Sequence, residues 1–254
     1  MISVAKILDI MKKLLLIFIL LGSISLNAQI KSIGKKDTRA VVIGISDYKH
    51  EKIPDLKYAH ADAIAFKNYL QSASGGNIGE DNIQLLINEK ATTGQMVAAM
   101  DWLIEESKPG DQAMIYFSGH GDVEQVTKYN RGFLLTYDSP PNIYASGAFH
   151  IYYLQDIIST LAENDVQVIM ISDACRSGNL AGAKVNGTQA TSALIAKQFA
   201  NEIKILSCQP NELSVEGKQW GGGRGCFSFH LLDGLYGFAD QNEDLKVDLF
   251  ELGR

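Results

Sequence analysis

Proline and cysteine are both scarce in this 254-residue chain, at five and three copies, and tryptophan occurs only twice. Three cysteines do not make a disulfide scaffold, and the absence of a Cys-x-x-Cys pair sets aside a thiol-redox motif. No group of His and Cys has the spacing of zinc ligands. There is no Lys/Arg-dense segment either: 23 basic against 29 acidic residues leave a formal charge of −6. Without that basic footprint, nucleic acid is not an expected partner. The run Gly221-Gly222-Gly223-Arg224-Gly225 lacks the Lys-Ser/Thr ending of a phosphate cradle and follows no strand directly. It reads as a flexible loop.

What is present is ordinary globular material, 46% hydrophobic and 20% charged, long enough for one or two domains. The first 28 residues stand apart. Lys12-Lys13 precede an apolar run over 14–21 and a small, polar stretch ending at Leu26-Asn27-Ala28, the three regions of a secretory signal peptide. The apolar run is well short of the roughly 20 residues of a spanning helix. Cleavage after Ala28 and export to the periplasm or the medium are therefore expected, with no stable membrane insertion afterwards; an uncleaved anchor is the alternative. Cleavage removes Lys6, Lys12, Lys13 and Asp9, three positive charges and one negative, which takes the formal charge from −6 to −8. Residues 29–38 then read as a linker.

From residue 39 onward the pattern alternates. Strands are predicted over 40–46 and 83–87, and helices over 59–70, where Ala59, Ala63, Phe66 and Leu70 form one stripe, and after Thr92, where Met96, Ala99, Met100 and Leu103 share a face. Thr92 with Gln95 suggests a capping box. A hairpin is predicted around 123–126 and 133–137, a helix over 152–162 with Leu154, Ile157, Ile158 and Leu161 inward, a strand over 203–207 and a helix over 227–238. The β-α-β-α-β order argues for an α/β fold with a mostly parallel sheet and helices on its faces.

Two further strand runs end in reactive side chains among small residues. Ala113-Met114-Ile115-Tyr116-Phe117 leads into Ser118-Gly119-His120-Gly121, and Val166-Gln167-Val168-Ile169-Met170-Ile171 leads into Ser172-Asp173-Ala174-Cys175-Arg176-Ser177-Gly178. Open parallel sheets bind ligands beyond the carboxyl ends of their strands. If these two strands are neighbours, His120 and Cys175 meet there, and a general base beside a thiol is the arrangement for nucleophilic catalysis. The backbone N–H groups of Gly121 and Cys175 are the expected oxyanion donors. Asp173, two residues before the thiol on an extended strand, shares its face and is placed to select Arg or Lys in the residue before the scissile bond.

The Ser-Gly-His-Gly and Asp-Ala-Cys-Arg-Ser-Gly segments together resemble the caspase-like cysteine peptidases (peptidase C14), in their bacterial metacaspase-like branch, over residues 39–254. The resemblance implies a three-layer sandwich with helices on both faces of the central sheet, and a Cys–His dyad. It implies a large-subunit-like part over about 39–180, a mobile linker over 181–201 that is often cut on activation, and a small-subunit-like part over 202–254. Lys184 is the most open candidate for such a cut. It also implies that Asp62 supplies a second acid to the specificity pocket and Ser118 one of its walls. Two other readings stay open: a catalytically idle interaction module on the same fold, and a gingipain- or clostripain-like peptidase. Oligomeric state is not legible.

Near the end, Asp240, Asn242, Asp244, Asp248 and Glu251 fall at ligand positions 1, 3, 5, 9 and 12 of a calcium loop, with Leu245 where glycine normally turns the chain. A solvated acidic turn before a last helix is the alternative. Hydrolysis by a thiol and an imidazole requires no cofactor; calcium enters only if this loop binds it. Cys208 and Cys226 are either a pair or two separate thiols.

Overall fold

The structure, a computed structural model, describes residues 36–124, 126–174, 191, 195, 202–207 and 214–253. The signal-peptide region, Cys175, Lys184, Cys208 and nearly all of the predicted linker lie outside the described residues.

Five parallel strands make the central sheet. β1 (Thr38–Gly44) is followed by α1 (Ala59–Gln71), β2 (Ile83–Ile87), α2 (Thr93–Glu106) and β3 (Gln112–Ser118). After an antiparallel trio, β4 (Gly121–Val123), β5 (Gly132–Leu134) and β6 (Phe149–His150), come α3 (Ile151–Glu163), β7 (Gln167–Asp173) and β8 (Glu202–Leu206). A short ribbon of β9 (Glu216–Gly217) and β10 (Arg224–Gly225) leads into α4 (Cys226–Asp233), and α5 (Leu249–Leu252) comes last. The strand order is β2-β1-β3-β7-β8. The chain therefore steps outward from β1 in both directions, and the crevice between β1 and β3 is a topological switch point.

The central strands β1, β3 and β7 are largely apolar on both faces because both faces are covered, whereas the edge strand β8 carries the Glu202–Lys204 ion pair on one face. Ala40 and Val42 pack with Phe66 and Leu70 of α1 and Leu231 of α4, whereas Val41 and Ile43 pack with Met96, Met100 and Leu103 of α2 and Leu154 and Leu161 of α3. Every residue assigned to the α1, α2 and α3 stripes from sequence is buried. Removing each large side chain from water contributes roughly 1.5–3 kcal/mol, so the sheet and its two helix layers are held mainly by apolar burial. No helix among the described residues is long and apolar enough to cross a membrane.

Three details differ from expectation. Thr92 Oγ1 caps α2 by accepting the Gln95 N–H at 3.3 Å, one half of a capping box. The predicted hairpin is displaced toward His120, since Gly121–Val123 pairs with Gly132–Leu134 and a third strand joins from Phe149–His150. The last predicted helix breaks: α4 passes at Gly234 into a π-helical turn, Gly234–Phe238, in which Gly237 takes φ 117°, a left-handed conformation that glycine adopts without steric cost.

Candidate active site

β3 and β7 are adjacent, with Ser118 opposite Asp173. His120 and Cys175 thus follow equivalent positions on neighbouring strands, two residues beyond that pair. Cys175 itself lies outside the described residues; the chain before it reaches Ala174, which is buried. Two backbone bonds hold the strand ends together, Gly119 N–H to the Asp173 carbonyl at 3.3 Å and Gly121 N–H to the Ala174 carbonyl at 3.1 Å. The second uses an expected oxyanion donor, so stabilising an oxyanion with Gly121 requires that contact to open.

His120 is 2% exposed. Its backbone N–H donates to the Tyr48 hydroxyl at 2.9 Å, and its Nε2 lies 2.8 Å from the Pro54 carbonyl oxygen. A carbonyl only accepts, so Nε2 carries the proton and the lone pair of the neutral ring sits on Nδ1. The Tyr48 ring lies over the imidazole, with centroids 5.1 Å apart and planes inclined by 30°. Both glycines beside His120 are required by close approach. A Cβ on Gly119 would sit 2.9 Å from the Phe117 ring, and one on Gly121 would sit 2.7 Å from Thr191 Cγ2.

The two acids have different surroundings. Both are fully buried, and both lie against the start of α4. Asp62, on α1, accepts Arg224 Nε at 2.7 Å and the Gly225 N–H at 3.0 and 3.1 Å through its two oxygens. A substrate cation would have to share Asp62 with Arg224. Asp173 accepts the Ser228 hydroxyl at 3.1 Å. The Ser118 Oγ is buried with no hydrogen-bond partner among the described residues, at the register position beside Asp173. Glu216 completes the clamp on this side by accepting the Lys57 and Tyr58 N–H groups at 2.8 and 3.0 Å.

Cys226, between Gly225 and Ser228, is a free thiol. Burial first and the Asp173 charge second push its pKa up, which makes it a poor nucleophile. It lines a cavity of about 790 Å³ together with Ser207, Val215 and His230. Asp122, just past Gly121, is pushed above the ordinary carboxylate range by burial, against the opposing effect of the Tyr144 hydroxyl that donates to it at 2.7 Å.

The acidic loop turns its carboxylates inward. Asp240 accepts the Asp244 and Leu245 N–H groups at 3.1 and 3.0 Å, Asn242 Oδ1 accepts Asp244 N–H at 2.9 Å, and Asp244 accepts Lys246 N–H at 2.9 Å. Asp248 and Glu251 form a capping box at the start of α5. Among the described residues, no group of three or more His, Cys, Asp or Glu side chains is placed to hold a metal ion. Leu245 does take the left-handed turn that glycine makes at that position, at φ 65° and 93% exposed, a strain of order 1–2 kcal/mol.

Sequence reasoning missed Tyr48, the Pro54 carbonyl, Arg224 and Ser228. A backbone acceptor leaves no side-chain signature, and the Arg224–Asp62 contact spans 162 residues. The Asp248-Leu249-Phe250-Glu251 spacing was a capping signal open to reading.

The family profile described as Caspase domain matches residues 37–247. The chain belongs to the caspase-domain family, peptidase C14. Relatives include Metacaspase-1 of Plasmodium falciparum, 28% identical over 155 residues, covering 56% of this chain and 24% of that protein. Metacaspase-2 of Arabidopsis thaliana is 37% identical over 90 residues, covering 33% of this chain and 21% of that protein. Metacaspase-1 of Saccharomyces cerevisiae is 24% identical over 149 residues, covering 56% of this chain and 34% of that protein. The chain thus spans about a fifth to a third of the length of these relatives. Among solved structures, protein GSU0716 from Geobacter sulfurreducens superposes with a TM-score of 0.56 at 19% identity, covering 78% of this chain and 81% of that one. That likeness carries the fold, a mostly parallel five-stranded sheet between helices.

Proposed function

We propose that this caspase-domain chain is an exported cysteine endopeptidase that cleaves after Arg or Lys, with Cys175 as nucleophile and His120 as general base. The observation that carries the reading is the Pro54 carbonyl at 2.8 Å from His120 Nε2. It fixes the tautomer in which Nδ1 is the basic nitrogen, at the end of the strand beside the one that leads into Cys175. Nδ1 takes the thiol proton, the thiolate attacks the scissile carbonyl, and the imidazolium then protonates the leaving amine, giving an acyl-enzyme that water hydrolyses. As the ring becomes cationic, the Nε2–H to Pro54 contact becomes a charge-assisted hydrogen bond and strengthens.

Selectivity in this reading rests on Asp173, whose buried carboxylate prefers a guanidinium or ammonium partner. Asp62 acts through Arg224 and Gly225, holding the glycine loop. The chemistry calls for no cofactor, and the carboxylates of Asp240 and Asp244 are engaged by their own loop's backbone N–H groups. Export rests on residues 1–28 and is tested by N-terminal sequencing of the secreted protein.

The direct test is covalent labelling by a peptidyl electrophile ending in Arg, located by mass spectrometry. Modification of Cys175 that falls at least about 100-fold in rate in His120→Ala, the scale expected for loss of a general base, supports the assignment. Modification of Cys226 instead, or equal labelling in both proteins, contradicts it.

A further inference from the structure

The buried hydroxyls behind the selector acid form a directed chain. Ser228 Oγ lies 3.1 Å from Asp173 Oδ2 and 2.7 Å from the Tyr116 hydroxyl. A carboxylate only accepts, so the single Ser228 proton goes to Asp173, and the Tyr116 hydroxyl must donate to Ser228. The relay runs Tyr116 to Ser228 to Asp173, and all three residues are at most 1% exposed.

Each end of the relay is mechanically fixed. Tyr116 lies in β3, the strand next to β7, and its ring stacks on Phe66 of α1 with centroids 4.5 Å apart and planes inclined by 15°. Ser228 sits in the first turn of α4, with Leu231 and Leu232 buried in the apolar layer beyond it. Neither hydroxyl is there for packing: a buried serine in a helix and a buried tyrosine hydroxyl each carry a desolvation cost unless partnered. Ser228 partners the acid on which selectivity rests, and Tyr116 partners Ser228.

We propose that Ser228, backed by Tyr116, is a positioning residue for substrate selectivity: it holds the Asp173 carboxylate in one orientation, so that the basic side chain before the scissile bond meets a pre-set partner. This rests on the reading of the chain as a peptidase selecting Arg or Lys. In that reading α4 belongs to the selector as much as to the core, and the relay ties the selector to the strand that carries His120.

The test compares kcat and KM for two fluorogenic peptides differing only in Arg or its uncharged isostere citrulline before the scissile bond, in wild type, Ser228→Ala, Ser228→Thr and Tyr116→Phe. A charge-assisted hydrogen bond lost from the selector should lower the Arg-to-citrulline ratio of kcat/KM by roughly ten-fold in Ser228→Ala, chiefly through KM for the Arg peptide. Ser228→Thr should restore most of it, and Tyr116→Phe should lower it about two- to four-fold, since that change removes only the second bond of the chain. Equal losses on both peptides in Ser228→Ala, or no rescue by threonine, would show a merely structural role and overturn the inference while leaving the peptidase reading intact. If Ser228→Ala does not fold, the ratio in Tyr116→Phe decides alone, an unchanged ratio overturning the inference. A wild type that turns over neither peptide overturns both.

Discussion

The base side and the selector side of the site are held by different forces. His120 follows a strand whose Ile115 and Phe117 are buried among α2 and α3; the Tyr48 ring lies over its imidazole, the Tyr48 hydroxyl accepts its backbone N–H, and the Pro54 carbonyl accepts from Nε2. The selector side is assembled from distant pieces by polar clamps: Arg224 and Gly225 on Asp62, Ser228 on Asp173, and Glu216 on the Lys57 and Tyr58 backbone. Apolar burial tolerates small displacements, whereas a buried ion pair loses most of its worth when one partner goes. In the proposed peptidase, the groups that attack are therefore built into the sheet, and the groups that choose the substrate depend on a few contacts that can be broken singly.

The largest expected effect follows from breaking the clamp with the best geometry. Asp62→Ala leaves the Arg224 guanidinium, whose side chain is 15% exposed, without its anion and the Gly225 N–H without its acceptor. It should destabilise the fold by about 3 kcal/mol, read by urea unfolding, and the double variant Asp62→Ala/Arg224→Leu should recover part of that. A double variant no more stable than the single one would show that the loop is held otherwise.

On the base side, Tyr48→Phe removes the acceptor of the His120 N–H from a buried position. The expected cost is about 1–3 kcal/mol in stability, with the Arg-to-citrulline ratio unmoved. A shift in that ratio would mean the two sides are not separable.

A smaller effect sharpens the comparison through pH. Asp122 has a folded pKa above its unfolded one, so the folded state keeps a proton that the unfolded chain has lost. Stability contributed by the protonated acid is present below the unfolded value, about 3.9, and declines as pH rises through the folded value. Asp122→Asn should remove that decline. A stability profile parallel to wild type from pH 4 upward would contradict the assignment.

Calcium is the smallest expected effect. With the loop carboxylates bonded to their own backbone N–H groups, saturating calcium should raise the melting temperature by less than about 2 °C. A rise of several degrees, or calcium-dependent turnover, would make the loop a metal site.

Much of the base side was legible in sequence. Strand runs closed by glycine, the apolar stripes of α1, α2 and α3, and the pairing of the His120 and Cys175 strand ends all follow from local periodicity and the parallel-sheet rule. The selector side was less so. Asp173 stands out in sequence because it lies two residues before Cys175, but the partners of Asp62 lie on a glycine loop whose path no local pattern dictates, and Ser228 looks like any small helix residue until Tyr116 is placed behind it. The break at Gly234 was also hidden, because the apolar pattern continues through Leu235 and Phe238 while the glycines weaken the helix.

Whether the protein is a Cys175–His120 peptidase with Asp173 as selector is read from hydrolysis of matched fluorogenic peptides ending in Arg, Lys or Asp, using wild type, Cys175→Ala and Asp173→Asn. The expected result is turnover after Arg and Lys, none after Asp, no turnover in Cys175→Ala, and a loss of at least about ten-fold on the basic peptides in Asp173→Asn. Turnover that survives Cys175→Ala, or basic preference that survives Asp173→Asn, would contradict it.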